Sequence, residues 1–387
     1  MIKRGIVLAL FLILSGCSWM TDYLAGDTNQ TPPTTLTEFK PSINPVRVWS
    51  ASVGAVSKDD PVRLMPALCD GKLFAAGGKG FIYAFDSVSG KRLWKTDSKA
   101  LLSGGVGCGD DLVLVGTEKG HVLAYHSADG AAAWNAVVSS EVLAPPRVSE
   151  GMVVARTIDG KVFGLDTNDG SRRWVYDRSS PVLTLRGSGS VAFAHGAAIG
   201  GFDSGKLVAL TIADGKPIWE VSIAVPSGRS ELERMVDIDS DPLILDNHIY
   251  VATFQGRVAS VALDSGRIEW VRELSSYAGI GIDADHLYLT DDQSQVWSME
   301  QSGGGQLWKQ DKLIGRDLSA PTVFDNYVVV ADFEGYLHWL SKDDGSFAAR
   351  VRVDSDGINV APLAGDGLLY VQGQGGNLAA YKLGSGK

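Results

Sequence analysis

The sequence has few cysteines and histidines and no long stretch with helical periodicity. Its 387 residues include three cysteines and six histidines. No Cys-x-x-Cys motif is present, which argues against a structural metal site. The longest apolar run, residues 6–14, is too short to span a bilayer as a mature helix. Acidic residues outnumber basic ones by 45 to 35, which disfavours nucleic acid as a partner.

A repeated unit occupies most of the chain. In residues 160–174 a glycine is followed by a second glycine ten positions later and by a tryptophan four positions after that. Complete copies begin at Gly80, Gly120, Gly160, Gly205 and Gly256. Later copies depart from this pattern. One has Ser294 in place of the first glycine, and one starts at Gly335 and has Ala349 in place of the tryptophan. The last copy starts at Gly376 and is truncated.

The period of the unit indicates a β-propeller. Successive starts lie 38 to 51 residues apart, the spacing of four-stranded blades. Short apolar or alternating runs separated by Asp-Gly turns are typical of β-strands. Trp49 precedes the first unit, and the last unit lacks a fourth strand. We therefore predict an all-β fold, an eight-bladed propeller of four-stranded antiparallel blades, closed by pairing the N-terminal strand with the C-terminal blade.

Tryptophans occupy seven of the eight repeat positions. We expect each of these rings to pack between blades, near the glycine of a neighbouring unit, and not to bind a cofactor. The cysteines of the repeat region, Cys69 and Cys108, lie 39 residues apart in equivalent places. A disulfide is possible between them, but equivalent sites on neighbouring blades need not come within bonding distance. Two buried thiols are the favoured prediction.

The N-terminus predicts a secreted lipoprotein. Lys3 and Arg4 precede the apolar run, and Leu-Ser-Gly then leads to Cys17, an ending that resembles a lipobox. This resemblance implies cleavage before Cys17, acylation of its sulfur and its new amino group, and a firm membrane anchor. Ser18 follows the cysteine, which in the lipoprotein sorting pattern points to the outer membrane. An ordinary signal peptide is the alternative.

Three regions follow from these features. Residues 1–16 are a signal peptide, residues 17–44 carry the lipidated cysteine and a flexible tether, and residues 45–387 form the propeller. The tether is rich in threonine and contains Pro32 and Pro33, which favours an extended chain. Removal of the signal peptide leaves 33 basic against 45 acidic residues, a net charge of −12. We expect a soluble domain facing the periplasm.

The repeat resembles the tryptophan-docking repeat of quinoprotein dehydrogenases. That family holds pyrroloquinoline quinone and calcium at the ring axis, against a vicinal disulfide, and this chain has no adjacent cysteines. Its aspartate run at 237–241 does not match a calcium loop, because Pro242 and His248 stand where glycine and glutamate are needed. We predict no cofactor, no metal and no enzymatic activity, with a quinoprotein dehydrogenase as the alternative.

A lipobox on an eight-bladed propeller also resembles the BamB family, lipoprotein subunits of the outer-membrane β-barrel assembly machinery. Two stretches that depart from the repeat in adjacent units, 183–187 and 236–241, strengthen this resemblance. Both should emerge on one face of the ring. The resemblance implies docking on the periplasmic domains of BamA through Leu183, Leu185, Arg186, Asp237 and Asp239. Alternatively, the leucines belong to the core and Arg186 pairs with an aspartate inside the protein.

The sequence thus predicts a noncatalytic scaffold that docks on BamA and assists the folding and insertion of β-barrel proteins. Other Bam subunits would be indirect partners, and unfolded outer-membrane proteins could pair with a propeller strand edge. The remaining alternative is a ligand-binding propeller of the periplasm. A carbohydrate binder would need exposed aromatic side chains, for which the candidates are Phe254, Tyr277 and Tyr336.

Overall fold

Residues 147–176 show how the repeat folds. Four short strands pair in antiparallel order, with apolar side chains buried between neighbouring sheets. Gly170 ends the turn between the last two strands with a φ of 70°, a conformation that glycine adopts without steric cost. The computed structural model describes residues 32–57, 62–177, 187, 189–226, 228–230 and 233–384.

The first half of the chain supplies seventeen strands. In chain order they are β1 (Pro45–Ser52), β2 (Ala67–Cys69), β3 (Lys72–Ala76), β4 (Phe81–Asp86), β5 (Arg92–Asp97), β6 (Gly107–Gly109), β7 (Leu112–Gly116), β8 (His121–His126), β9 (Ala132–Val137), β10 (Arg147–Ser149), β11 (Met152–Arg156), β12 (Val162–Asp166), β13 (Arg172–Tyr176), β14 (Ala192–Ala194), β15 (Ala197–Phe202), β16 (Lys206–Thr211) and β17 (Pro217–Ser222).

The second half supplies fifteen more. They are β18 (Leu243–Leu245), β19 (His248–Ala252), β20 (Arg257–Ala262), β21 (Ile268–Glu273), β22 (Gly279–Ile282), β23 (His286–Thr290), β24 (Val296–Glu300), β25 (Gln306–Gln310), β26 (Thr322–Phe324), β27 (Tyr327–Ala331), β28 (Tyr336–Ser341), β29 (Phe347–Arg352), β30 (Leu363–Gly365), β31 (Leu368–Gln372) and β32 (Asn377–Leu383). The described residues contain no helix, and hence none suited to crossing a membrane.

The strands form eight four-stranded antiparallel sheets, so the predicted eight-bladed propeller is confirmed. Blades 1 to 7 use consecutive strands from β2 to β29, with the first strand of each blade nearest the axis. Blade 8 has the order β1-β32-β31-β30, and β1 pairs antiparallel with β32 from Pro45 opposite Leu383 to Ser52 opposite Asn377. The predicted closure by the N-terminal strand is therefore confirmed, because β1 completes blade 8 as its fourth strand.

The core lies between the blades. Eight clusters of buried apolar side chains occur in the described part, one at each junction between neighbouring blades. A single four-stranded sheet cannot cover both of its faces, and each blade uses its neighbours to do so. The ring is consequently stabilised by contacts between blades.

Each repeat tryptophan docks on the following blade, as the sequence predicts. The Trp94 Nε1 donates to the Ser127 carbonyl at 3.1 Å, and a Cβ at Gly130 would lie 2.6 Å from the indole ring. The second glycine of the repeat is thus required both by its positive φ and by the ring that lies against it. Equivalent bonds are donated by Trp49, Trp94, Trp134, Trp174, Trp219, Trp270 and Trp308.

The prediction of two buried thiols is wrong. Cys69 and Cys108 form a disulfide, with their Cα atoms 6.3 Å apart. They lie on β2 and β6, the innermost strands of blades 1 and 2. Blades converge toward the axis, so equivalent positions on innermost strands come within the range of Cα separations that a disulfide spans.

The compact unit that contains the ring begins at Thr34, and residues 34–44, here called the strap, pack on blade 7. The Thr34 N–H donates to the Ile314 carbonyl at 2.9 Å, and the Ser42 N–H donates to the Ala348 carbonyl at 2.9 Å. Leu36 and Ile43 pack against buried clusters of the ring. The composition of residues 17–44 predicts a free tether, and the strap differs because its widely spaced apolar side chains bind the ring.

The ring has two chemically distinct faces, because strand direction alternates within a blade. One side carries the connections from the outermost strand of a blade to the innermost strand of the next, together with the turns between second and third strands. We call this side the connection face. The other side, the turn face, carries the turns between first and second strands and between third and fourth strands.

Candidate functional site

The structure describes two of the five residues predicted to bind a partner. Asp237 and Asp239 lie in the connection from β17 to β18, on the connection face. The connection from β13 to β14, of which Gly187 and residues 189–191 are described, precedes it in the ring and lies on the same face. The other predicted site residues lie outside the described residues: Cys17, Leu183, Leu185 and Arg186.

The two connections are in direct contact. The Ser190 N–H donates to Asp241 Oδ1 at 2.6 Å, and a Cβ at Gly187 would lie 2.0 Å from Asp239 Oδ1. A side chain at Gly187 would therefore force the Asp239 carboxylate to move. The expectation that the two stretches are neighbours is confirmed for Gly187, the described residue of the first stretch.

Asp237 is buried beneath this face, with 1% of its surface exposed. Its Oδ1 accepts a hydrogen bond from the Ser204 N–H at 3.2 Å. The carboxylate thus joins its own connection to the turn between the second and third strands of blade 4. It holds the local backbone and is not displayed to solvent.

Asp239 is also buried, with 8% exposed. Its Oδ2 has no hydrogen-bond partner in the described part of the chain. Burial raises the pKa of Asp239 to about 7, and repulsion from Asp237 and Asp203 adds to this, while attraction from Arg156 and Arg63 opposes it. The carboxyl group is therefore close to the midpoint of its titration at neutral pH.

Asp241 is a residue of this site that the sequence analysis did not select. Its carboxylate accepts hydrogen bonds from Arg147 at 2.7 Å and from the Ser190 N–H. Ser190 in turn donates from its hydroxyl to the Pro145 carbonyl at 2.7 Å. Asp241 continues the pattern of an aspartate at every second position that Asp237 and Asp239 begin. Asp241 could have been predicted from this pattern in the sequence.

Arg156 supports the site from blade 3. Its guanidinium donates to the Gly189 carbonyl at 2.6 Å and lies 5.2 Å from the ring of Phe202. Burial lowers its pKa, although attraction from Asp203, Asp239 and Asp241 opposes the change. Arg156 thus supplies positive charge beneath both connections. No repeat motif in the sequence indicated this role for Arg156.

A cavity of about 200 Å³ opens beside Asp239. We call it the axial mouth, because described residues from six of the connections between blades line it. Six of those residues are Arg63, Met65, Asp239, Tyr277, Asp317 and Val360. The Tyr277 hydroxyl donates to Asp317 at 2.8 Å, so this tyrosine serves the mouth and not an exposed aromatic platform.

The acidic run does not assemble a metal centre. Asp237 and Asp241 are engaged by protein donors, and no group of three or more histidine, cysteine, aspartate or glutamate side chains in the described residues is placed to hold an ion. The aspartates alternate along the chain and point their oxygens to different partners. These carboxylates can fix the local backbone and accept hydrogen bonds. Such an arrangement is suited to binding.

Comparison with known proteins identifies relatives over the whole chain. The family model described as outer membrane protein assembly factor BamB matches residues 78–310 and 298–387. The protein of that name from Pseudomonas aeruginosa is 51% identical over 381 residues, covering 98% of this chain and 99% of the relative. That from Xanthomonas campestris is 38% identical over 398 residues, covering 99% and 98%.

Solved structures agree on the fold. The crystal structure of BamB from Moraxella catarrhalis superposes with a TM-score of 0.80 at 26% identity, covering 88% of this chain and all of that one. Quinohemoprotein alcohol dehydrogenase from Comamonas testosteroni shares the fold with a TM-score of 0.70, covering 93% and 82%, but is only 13% identical. The close relatives are assembly factors and not enzymes, and they associate this chain with the outer membrane and the Bam complex. The chain belongs to the BamB family of outer membrane protein assembly factors.

Proposed function

We propose that this protein is a noncatalytic scaffold that docks on the periplasmic domains of BamA through its connection face. Cys17 is the lipidated residue, and it anchors the chain in the outer membrane with the ring facing the periplasm. The scaffold positions BamA and assists the folding and insertion of β-barrel proteins. Other Bam subunits are reached through BamA.

The observation that carries the proposal is the contact between the two departures from the repeat. A propeller face made of equivalent loops offers no unique surface, and residues that break the repeat are where a specific partner can be recognised. Here Asp241 binds the backbone of Ser190, and Asp239 lies against Gly187. The two connections are therefore joined where Gly187 and Ser190 meet Asp239 and Asp241, and we propose that this junction orients the surface offered to a partner.

The buried aspartates and the other predicted residues have different roles in this proposal. Asp237 and Asp239 have 1% and 8% of their surface exposed, so Asp237 holds the shape of the surface and Asp239 lies in the wall of the axial mouth. Leu183, Leu185 and Arg186 supply the direct contacts with the partner. Apolar and arginine side chains are the residue types that contribute most at interfaces.

The test is capture of the periplasmic region of BamA by the full-length lipoprotein in detergent. Arg186→Glu should abolish capture, and the paired change Leu183→Ala with Leu185→Ala should weaken it at least tenfold, about 1.4 kcal/mol or more. Circular dichroism and thermal unfolding verify that each variant folds.

The matched control is Arg172→Glu. Arg172 is exposed at the start of β13, at the turn-face end of the strand, so the same charge change falls on the opposite side of the ring. Capture by this variant should equal that of the wild type. Undiminished capture by folded Arg186→Glu, or equal loss in both variants, would reject the docking face.

We also propose that unfolded outer-membrane proteins bind transiently to the outermost strands of the blades, here called the rim strands. Each sheet ends in an outermost strand with one unpaired edge, and such edges accept an added strand. Exposed apolar side chains lie on several of them, including Val137 at 72% and Ile218 at 50% exposure. A photo-crosslinker at position 137 should trap unfolded barrel proteins. The control is a crosslinker in place of Val88, which lies on the turn face. Equal trapping at the two positions would reject a specific role for the rim strands.

A further inference from the structure

Two arginines from different elements of the ring bind the backbone of the strap. Arg316, in the connection from β25 to β26, donates to the Thr34 carbonyl at 3.1 Å. Arg350, on β29, donates to the Thr37 carbonyl at 3.0 Å. Hydrogen bonds from charged donors are stronger than those between neutral groups. The first half of the strap therefore depends on where these two guanidinium groups are held.

A buried pair, Asp332 and His338, holds both guanidinium groups. Asp332 Oδ2 accepts from Arg316 Nε at 2.8 Å and lies 2.9 Å from His338 Nε2. The Arg350 Nε donates to His338 Nδ1 at 3.1 Å. Because an arginine nitrogen can only donate, His338 must present a lone pair at Nδ1 and carry its proton at Nε2. The network thus requires His338 to be neutral.

The strap lies over the side chains that cover His338. Of the six histidines, all of which the structure describes, only His338 is buried. The ring of Phe347 lies 6.1 Å from the His338 ring and 5.3 Å from the ring of Phe39 in the strap. The guanidinium of Arg350 also lies 5.1 Å from the Phe39 ring. Removal of the strap would therefore expose Phe347 and Arg350 and give water access to His338.

The charges around His338 balance only while it is neutral. The titratable groups in contact with it, directly or through Arg316, are Asp332 and Glu334 of the β27–β28 turn, Tyr336 of β28, Arg350 of β29 and Arg316 of the β25–β26 connection. Two guanidinium groups thus meet two carboxylates. On the strap, Glu38 and Lys40 are exposed and of opposite charge. A proton on His338 would add a third cation to this network.

Opening of the strap is therefore coupled to proton binding. Burial lowers the pKa of His338, the hydrogen bond to Asp332 opposes this change, and repulsion from Arg350 and Arg316 adds to it. Once exposed, His338 regains a pKa of about 6.5, so opening becomes more favourable as pH falls below that value. Asp332 stays ionised in mild acid. Burial acts to raise its pKa, but hydrogen bonds from His338, Tyr336 and Arg316 lower it overall.

We propose that the strap is an acid-released latch, in which a proton on His338 repels Arg350 and frees residues 34–44 from blade 7. Nδ1 then carries a hydrogen that faces the Arg350 Nε–H, so a hydrogen bond becomes a contact between two donors. Release uncovers β29, whose Ala348 carbonyl accepts from the Ser42 N–H at 2.9 Å. It also adds the length of the strap, up to about 36–40 Å when extended, to the predicted tether.

Release is measured by cleavage at the exposed Glu38 with a glutamate-specific protease, using the full-length protein in detergent. Each rate is divided by the rate for a synthetic peptide of residues 34–44 in the same buffer, so that the pH response of the protease cancels. This ratio should rise about tenfold from pH 7.5 to pH 5.5, because the open population gains up to a factor of about ten per pH unit below about 6.5. Mass spectrometry of the N-terminal fragment gives the rate.

Two variants assign the response to one histidine. His338→Gln offers one donor and one acceptor but does not titrate, and its ratio should be constant between the two pH values. The matched control is His121→Gln in blade 2, three blades from blade 7, where the imidazole bonds the Asn135 side chain at 2.8 Å. This variant should keep the tenfold rise. Thermal unfolding verifies the fold of both.

The tautomer gives a second measurement that needs no variant. In nitrogen NMR spectra of histidine-labelled protein at pH 7.5, one imidazole should carry its proton at Nε2 and keep this form to lower pH than the exposed histidines.

A constant cleavage ratio in the wild type would overturn the proposal. So would a rise that His338→Gln retains or that His121→Gln loses, or six imidazoles that titrate together near pH 6.5. None of these measurements involves BamA, so failure of the latch and failure of the proposed docking are distinguished.

Discussion

Trp339 and Ala349 face each other across β28 and β29, and this pair reverses the arrangement found in the other blades. Elsewhere the repeat tryptophan stands on the outermost strand opposite a small residue of the third strand, as Trp94 stands opposite Ala84. In blade 7 the large ring has moved to the third strand. Trp339 has 1% of its surface exposed, so it fills the space between blades 7 and 8.

The closure of the ring explains this reversal. A repeat tryptophan donates its N–H to the turn between the third and fourth strands of the next blade. Blade 8 has no such turn, because β32 and β1 come from opposite ends of the chain. A tryptophan at position 349 would lack this turn to dock on, whereas Trp339 packs within the core and its Nε1 has no acceptor among the described residues.

We expect Trp339→Ala to lower the free energy of unfolding by about 3–5 kcal/mol, because it removes a fully buried aromatic ring. Ala349→Trp alone should cost about 1–3 kcal/mol through overpacking. The double variant, which exchanges the two side chains, should recover part of the loss. Urea unfolding of all four proteins measures these values, and strictly additive effects would contradict the view that the two positions form one packing unit.

The sequence predicted the ring, its blade number and its closure because each of these depends on the repeat. Glycines at positive φ and tryptophans at a fixed spacing are local requirements, and they recur visibly. The disulfide was missed because its geometry depends on how closely innermost strands approach, which spacing along the chain does not reveal. Cys69 and Cys108 are 39 residues apart whether or not they bond.

The candidate site was predictable in position but not in chemistry. Departures from the repeat marked the connection that holds Asp237 and Asp239, since loops that break a pattern stand out in sequence. Burial of these carboxyl groups was expected only under the alternative interpretation, in which an aspartate pairs with Arg186 inside the protein, because acidic residues in a loop are usually exposed. The axial mouth was not foreseen either, because connections far apart in the chain form it.

The disulfide should stabilise the ring by about 3–4 kcal/mol, as expected for a closed loop of 39 residues in the chain-entropy view. The variant with Cys69→Ala and Cys108→Ala should lose this amount in urea unfolding. A reducing agent should lower the stability of the wild type equally and leave the double variant unchanged. If the reducing agent has no effect on the wild type, the two cysteines are not bonded in the protein.

Arg350 of blade 7 holds the strap. Arg350 donates to the Thr37 carbonyl at 3.0 Å, and its guanidinium lies 5.1 Å from the ring of Phe39. It also donates to Nδ1 of the buried His338 at 3.1 Å, so that His338 is neutral and offers its Nε2 proton to Asp332. Burial lowers the pKa of His338, which keeps it in this form.

We expect Arg350→Met to release the strap. Charged hydrogen bonds contribute about 1.5–3 kcal/mol, so cleavage at the exposed Glu38 by a glutamate-specific protease should accelerate at least about tenfold. Mass spectrometry of the N-terminal fragment measures the rate. The matched control is Arg352→Met on the same strand, where the side chain donates to the Glu334 carbonyl and should leave the cleavage rate unchanged. Equal acceleration in both variants would show that the strap does not depend on Arg350.

Asp239 should make stability fall as pH rises. Its pKa is raised from 3.8 to about 7 in the folded protein, so the folded state holds a proton that the unfolded state has released. The cost is absent below about pH 4, grows as pH rises toward 7 and is complete above it, where it amounts to roughly 3–5 kcal/mol. Asp239→Asn should therefore match the wild type near pH 4 and exceed its stability near pH 8. Urea unfolding at both pH values measures the difference, and a constant offset between the two proteins would show that Asp239 ionises normally in the folded ring.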